Sequence, residues 1–128
     1  MLGEFARAFE AADAAAAVDT MADNVVLRVA VHDQPFEGRH AASQILGAVL
    51  DGVLHDITVI ETITGDSAEV LVFHAQVAQY PGRADGLLVG RSDGSGRIAD
   101  LTVFLRPLPA LQALADEMGR RLGGPRPD

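Results

Sequence analysis

His32-Asp33-Gln34 is where residue types and order in this chain best suit proton transfer. A histidine side chain changes charge near neutral pH, so it can take up or release the proton that general acid–base catalysis moves. Asp33 is adjacent, but neighbours on an extended strand face opposite ways, so it can assist His32 only where the strand has ended. The plainer alternative is a solvated loop histidine with Asp33 capping a turn. A second group is His74, Gln76 and Tyr80, which recur at even spacing with Val70, Val72 and Ala78. They form a polar stripe on an otherwise apolar strand, able to orient a ligand or to face water or a dimer partner. The opposite face, Leu71, Phe73, Ala75 and Val77, would serve equally well as core. Glu61 shares a strand face with His55, Ile57, Val59 and Ile63. A carboxylate held among such residues can work as an acid or base; exposed on a sheet's outer side it does neither.

Other chemistries find little support. His32, His40, His55 and His74 fall on separate elements without paired metal-ligand spacing, so no metal is expected. The run Gly90-Arg91-Ser92-Asp93-Gly94-Ser95-Gly96 opens no helix and reads as a hairpin turn, not a nucleotide loop. There is no cysteine, and no serine in an elbow motif. No cofactor is expected.

The elements that must position these residues centre on Ser67 to Arg106. Three strand-like runs, Glu69 to Tyr80, Ala84 to Arg91 and Arg97 to Leu105, are parted by Pro81-Gly82-Arg83 and by Ser92 to Gly96. Ahead of them, Gly3 to Val18 has Phe5, Ala8, Phe9 and Ala12 at helical spacing, with a break at Asp13 and a second helix over Ala14 to Met21. Asp23-Asn24 reads as a turn, Val25 to Val31 as a strand, and His32 to Gly38 as an irregular connection. A helix over Arg39 to Leu50 shows Ala42, Ile45, Leu46, Val49 and Leu50 on one face, and Leu54 to Thr64 alternates as a strand. Pro107 and Pro109 lead into a helix over Ala110 to Leu122, ended by Gly123-Gly124-Pro125. Helices gathered on one face of a mostly antiparallel sheet make an α+β domain. One domain spans residues 1–128, with 123–128 as a loose tail.

Composition narrows the partners. A net charge of −8 opposes a general nucleic-acid partner, which requires a basic footprint. No apolar run approaches the roughly 20 residues of a membrane helix, and no signal peptide is evident, so a cytoplasmic protein is the expectation. Five Phe, one Tyr and no Trp leave any apolar pocket lined mainly by aliphatic side chains.

Asp23-Asn24-Val25 entering the first strand, Phe36-Glu37-Gly38-Arg39 entering a helix, and Gly96-Arg97-Ile98 entering the last strand give an order that resembles the nuclear transport factor 2-like superfamily. The nearest group it resembles is the SnoaL-like one, with polyketide cyclases, limonene epoxide hydrolases and ketosteroid isomerases as relatives. The resemblance implies a cone-shaped sheet wrapped on the N-terminal helices, homodimers through the sheet, and a hydrophobic pocket reused for many reactions. It also implies places for catalytic groups. Where cyclases and epoxide hydrolases carry a last-strand aspartate, this chain has Val103; the stretch matching the isomerases' oxyanion-stabilising acid is Leu87-Leu88-Val89. Arg83-Ala84-Asp85 has the spacing of an epoxide-hydrolase pair but lies beside a Pro-Gly turn. The segment that survives is His32-Asp33-Gln34.

The expected function is binding of a small, largely apolar molecule in the cone, with cofactor-free isomerisation, cyclisation, dehydration or epoxide opening. His32 and Asp33 are the expected catalytic groups, and His74, Gln76, Tyr80, Val103, Leu88, Phe36 and Glu61 the expected ligand contacts. The competing expectation is a non-catalytic ligand-binding, dimerisation or protein-interaction module, because lost carboxylates are what lost catalysis would look like.

Overall fold

A computed structural model describes residues 1–123. The chain runs α1 (Leu2–Glu10), α2 (Ala14–Asp19), β1 (Met21–Arg28), β2 (Phe36–Glu37), α3 (Arg39–Ala48), β3 (Leu54–Thr64), β4 (Glu69–Val77), β5 (Tyr80–Ser92), β6 (Ile98–Arg106) and α4 (Leu108–Met118). Wider π-type turns, Val49–Val53 and Gly119–Gly123, extend α3 and α4. The six strands form one sheet in the order β2-β1-β6-β5-β4-β3, with β1 and β6 parallel and every other pair antiparallel. Register slips at His55–Thr58 and Val59–Glu61 in β3, and at Ala75–Val77 in β4, add bend and twist to the strands. The result is an open, cone-like α+β sheet curved around its helices.

Local chemistry explains the helical start. Leu2, Phe5 and Phe9 recur on one side of α1 and are buried against the sheet. Phe9 stacks on Phe5 at 5.7 Å and meets the Phe73 ring edge-on at 4.9 Å. Asp13 accepts a hydrogen bond from the Ala16 N–H and so caps α2, which separates the two helices where the sequence breaks. Two glycines inside β5 make room for this layer. A Cβ on Gly86 would overlap the Phe73 ring, and one on Gly90 would lie 2.9 Å from a Leu2 methyl.

Some sequence boundaries shift. β1 begins at Met21, so Asp23-Asn24 belongs to the strand instead of forming a turn; parallel pairing of Met21 with Ile98 draws this segment into the sheet. The connection His32 to Gly38 contains the short β2, whose Phe36 and Glu37 pair with Leu27 and Val26. The β4–β5 turn is Ala78-Gln79, and Pro81-Gly82-Arg83 lies inside β5. Long-range bonds fix that turn: the Ala78 N–H donates to Val53 O at 2.7 Å, and the Ala78 carbonyl meets His55 Nε2 at 3.3 Å. Pro81 is tolerated because it falls where the β4–β5 register slips and beyond the point where β6 pairing begins, at Asp85. The final helix starts at Leu108, two residues earlier than expected. Of the expected loose tail, residues 124–128 lie outside the described residues. Among the described residues no helix is long and apolar enough to cross a membrane.

Candidate functional site

The β1–β2 hairpin sets the site. β1 ends at Arg28 and β2 starts at Phe36, so the seven residues between them form a loop at the sheet's edge, with His32 near its tip. Gly38, at φ +92°, then turns the chain into α3, its N–H bonded to Val25 O at 2.8 Å. This geometry lays α3 across the hairpin's open side. α4 returns along the inner face of the sheet, with Ala110, Leu114 and Met118 buried.

Between the hairpin, α3 and α4 lies a cavity of about 490 Å³. Val29, Val31, His32 and Phe36 come from the hairpin; Ala41, Gln44, Ile45 and Val49 come from α3 and its extension. Leu114, Ala115, Met118, Gly119 and Leu122 close the side formed by α4. The volume suits a ligand of modest size. In that wall His32 is the one titratable side chain and Gln44 the one other polar side chain.

His32 stands half in water, with 48% of its side chain exposed. Its ring meets Phe36 at 5.8 Å and 60°, which limits its orientation. The Gln34 N–H donates to His32 Nδ1 at 3.3 Å. An accepting Nδ1 leaves the proton of the neutral ring on Nε2, so the ring presents a donor there. Asp33 Oδ1 lies 3.9 Å from Nδ1, but the Asp33 side chain is 94% exposed and points away from the cavity wall.

The remaining expected contacts lie elsewhere. His74 and Gln76 sit on the outer face of β4, opposite the buried Leu71, Phe73, Ala75 and Val77. Glu61 pairs with Val72 and is exposed. None of these three lines the cavity, because α1 and α4 cover the other side of the sheet. Tyr80, Leu88 and Val103 do face inward, yet they pack into the core; Leu88 and Val103 are cross-strand partners. The polar pattern reported two faces, and the greasier one took the helices. Arg83 and Asp85 share the outer face, with Arg83 Nε 3.6 Å from Asp85 Oδ1, and Asp85 also accepts from Arg106 Nη1 at 3.1 Å, while Ala84 between them is buried on the inner side. Asp100 likewise pairs with Arg28 outside, at 3.0 Å, and that carboxylate raises the Arg28 guanidinium above its ordinary value.

Gln44 was not anticipated. It borders the apolar stripe of α3, three residues after Ala41 and next to Ile45, and that border position is its only mark in the sequence.

Known structures carry the same architecture. A steroid delta-isomerase from Pseudomonas aeruginosa superposes with a TM-score of 0.84 at 32% identity, over 95% of this chain and 88% of that one. The chain belongs to the nuclear transport factor 2-like superfamily. Within this superfamily, the epoxide hydrolase/cyclase-like enzyme SalBIII, described for pyran ring formation in the polyether salinomycin, matches at TM-score 0.68 and 18% identity, over 82% of this chain and 87% of that one. An NTF2-like protein of unknown function from Mesorhizobium loti matches at 0.69 and 20%, over 80% and 85%. No family model and no curated protein matches the sequence. The superfamily thus supplies a fold whose members include an isomerase, a cyclase-like enzyme and proteins of unknown function.

Proposed function

We propose that this nuclear transport factor 2-like protein binds an uncharged, mostly apolar small molecule between α3 and α4, and that His32 is its catalytic group. One observation carries the reading: a single titratable side chain lines an otherwise nearly apolar cavity. A lone donor on such a wall acts more strongly on a ligand oxygen once the bound ligand displaces the water around it. His32 would hydrogen-bond the ligand oxygen from Nε2 as charge develops there, with Gln44 orienting the ligand. In epoxide opening a water forms the new C–O bond as the ring C–O bond breaks, and its surplus proton reaches the alkoxide through solvent. In isomerisation the proton lost from one carbon is taken up by solvent as the other carbon is protonated from it. Isomerisation and epoxide opening, the chemistry named for two structural relatives, both build negative charge on an oxygen. The test is turnover of an unsaturated ketosteroid, followed by growth of conjugated-enone absorbance, and of a small epoxide, followed by diol formation. The expected result is measurable turnover that falls about 100-fold or more in His32→Ala. Unchanged turnover in that variant would remove His32 from the mechanism.

A second reading, a non-catalytic binder, is favoured by the lining itself, which among the described residues contains no carboxylate. It predicts saturable binding by methyl NMR with no product from either substrate.

We also infer a homodimer through the outer face of the sheet. Leu87 and Phe104 are cross-strand partners there and are 40% and 52% exposed, with Ile63 also exposed on β3. A row of exposed apolar side chains on a sheet face suits burial against a second copy. Sedimentation should give a dimer for the native chain and a monomer for Phe104→Asp; a monomeric native chain rejects the proposal.

A further inference from the structure

The ends of α3 and α4 both border the cavity and meet at one side of it. The extension of α3, Val49–Val53, contributes Val49 to one wall, and the extension of α4, Gly119–Gly123, contributes Leu122 to the other. The α3 segment is a helix end closed by Gly52 at positive φ, which turns the chain out of the helix towards β3. The α3 extension is also irregular in its backbone, with Asp51 at φ −93° and ψ 55° and Gly52 at φ +90°.

One side chain ties these two turns together. Arg121 Nη1 donates to the Asp51 carbonyl at 2.6 Å and lies 3.3 Å from the Asp51 carboxylate. Its Nε donates to Glu117 one turn earlier on α4, at 3.0 Å, which aims the guanidinium across the gap. The remaining wall beside it is thin. Gly119 has no side chain, and Leu122 is 46% exposed. Upstream the helix is firmly seated, with Ala110 fully buried and its N–H bonded to Pro107 O. So α4 is packed into the core from Ala110 to Met118, and beyond Met118 the Arg121 side chain ties the segment Gly119–Gly123 to Asp51.

The geometry points to Arg121 as the clasp of a gate: the segment Gly119–Gly123 swings with Leu122 to admit ligand, and the Arg121–Asp51 contact holds it shut. Exposed ion pairs are weak in water and screened by salt, which suits a contact that must open and reclose. The backbone carbonyl is the shorter of the two Asp51 contacts, so removing the carboxylate alone loosens the clasp less than removing the guanidinium.

The role of the gate rests on the proposed ligand cavity, but access can be measured without any ligand. The chain has no cysteine, so a single Ala115→Cys on the cavity wall can be labelled with a bulky aryl maleimide against no background. Ala15→Cys, exposed on α2, reports on the reagent alone. Adding Arg121→Ala should raise the rate at Ala115→Cys about three- to tenfold and leave Ala15→Cys unchanged. Asp51→Asn should raise it less, Arg121→Lys should restore part of the protection, and added salt should speed the parent protein towards the Arg121→Ala rate. Equal rates with and without Arg121 overturn the gate. So does a rise in Arg121→Ala accompanied by a matching loss of thermal stability, since that would be general unfolding. A positive result stands even if no ligand is turned over, so failure of the gate and failure of the proposed function are read separately.

Discussion

The inner side of the sheet has a solid end and a hollow end. Beneath α1, Leu2, Phe5, Phe9, Phe73 and Leu88 are buried, and Gly86 and Gly90 are shaped to the rings and methyls above them. Between α3, α4 and the β1–β2 hairpin, aliphatic side chains of similar type surround about 490 Å³ of space. Hydrophobicity therefore does not separate the two regions. Aromatic rings and glycine-relieved strands fill one, while the other is bounded mostly by aliphatic side chains and Phe36, with Ala41, Ala115 and Gly119 leaving room between them. A hollow costs the dispersion contacts that packing would have gained, so the hollow end is where stability has been given up.

The largest test of that contrast is Phe73→Ala, which opens a void at the solid end and should cost about 3–5 kcal/mol in chemical denaturation. A loss under about 1 kcal/mol would mean that the solid end is not tightly packed. Gly86→Ala pushes a methyl into the Phe73 ring and should cost about 1–3 kcal/mol by overpacking; an unchanged denaturation midpoint would show slack there. Ala115→Leu places three more carbons in the hollow and should still change stability by less than about 1 kcal/mol. Xenon seeks dry apolar cavities, and its effect on methyl shifts around Val49 and Leu114 should fall in that variant; an undiminished response would mean the void lies elsewhere. Smallest is Asp33→Asn. With that carboxylate almost wholly in water, turnover and stability should stay within error, and a clear loss of turnover would return Asp33 to the mechanism.

Regular alternation was readable from the residues alone. Leu54 to Thr64 forms the strand its pattern implies, and Asp13 divides the helices where expected. Long-range partners were not readable. The turn at Ala78-Gln79 contains neither glycine nor proline and puts Ala78 at φ +45°; Val53 and His55, far back in the chain, hold it. Pro81-Gly82 carried the stronger local signal but lies inside β5. For the site, a histidine in a breaker-rich connection was visible, and so was Phe36. The face of β4 that carries His74 and Gln76 was open, because alternation defines two faces without saying which one helices will cover. Gln44 was hidden because one polar residue beside an apolar stripe looks like an ordinary solvated helix border.

Strand order carries a consequence for biosynthesis. The hairpin bearing His32 belongs to the first third of the chain, yet β1 joins the rest of the sheet solely through β6, near the other end. During synthesis that hairpin can pack on α3 but has no strand of the main sheet to pair with until Ile98–Arg106 has left the ribosome, so the antiparallel β3–β4–β5 unit can assemble ahead of that pairing. The lip of the cavity thus joins the sheet late, and a chain stalled before β6 would carry its histidine on a hairpin held by α3 alone.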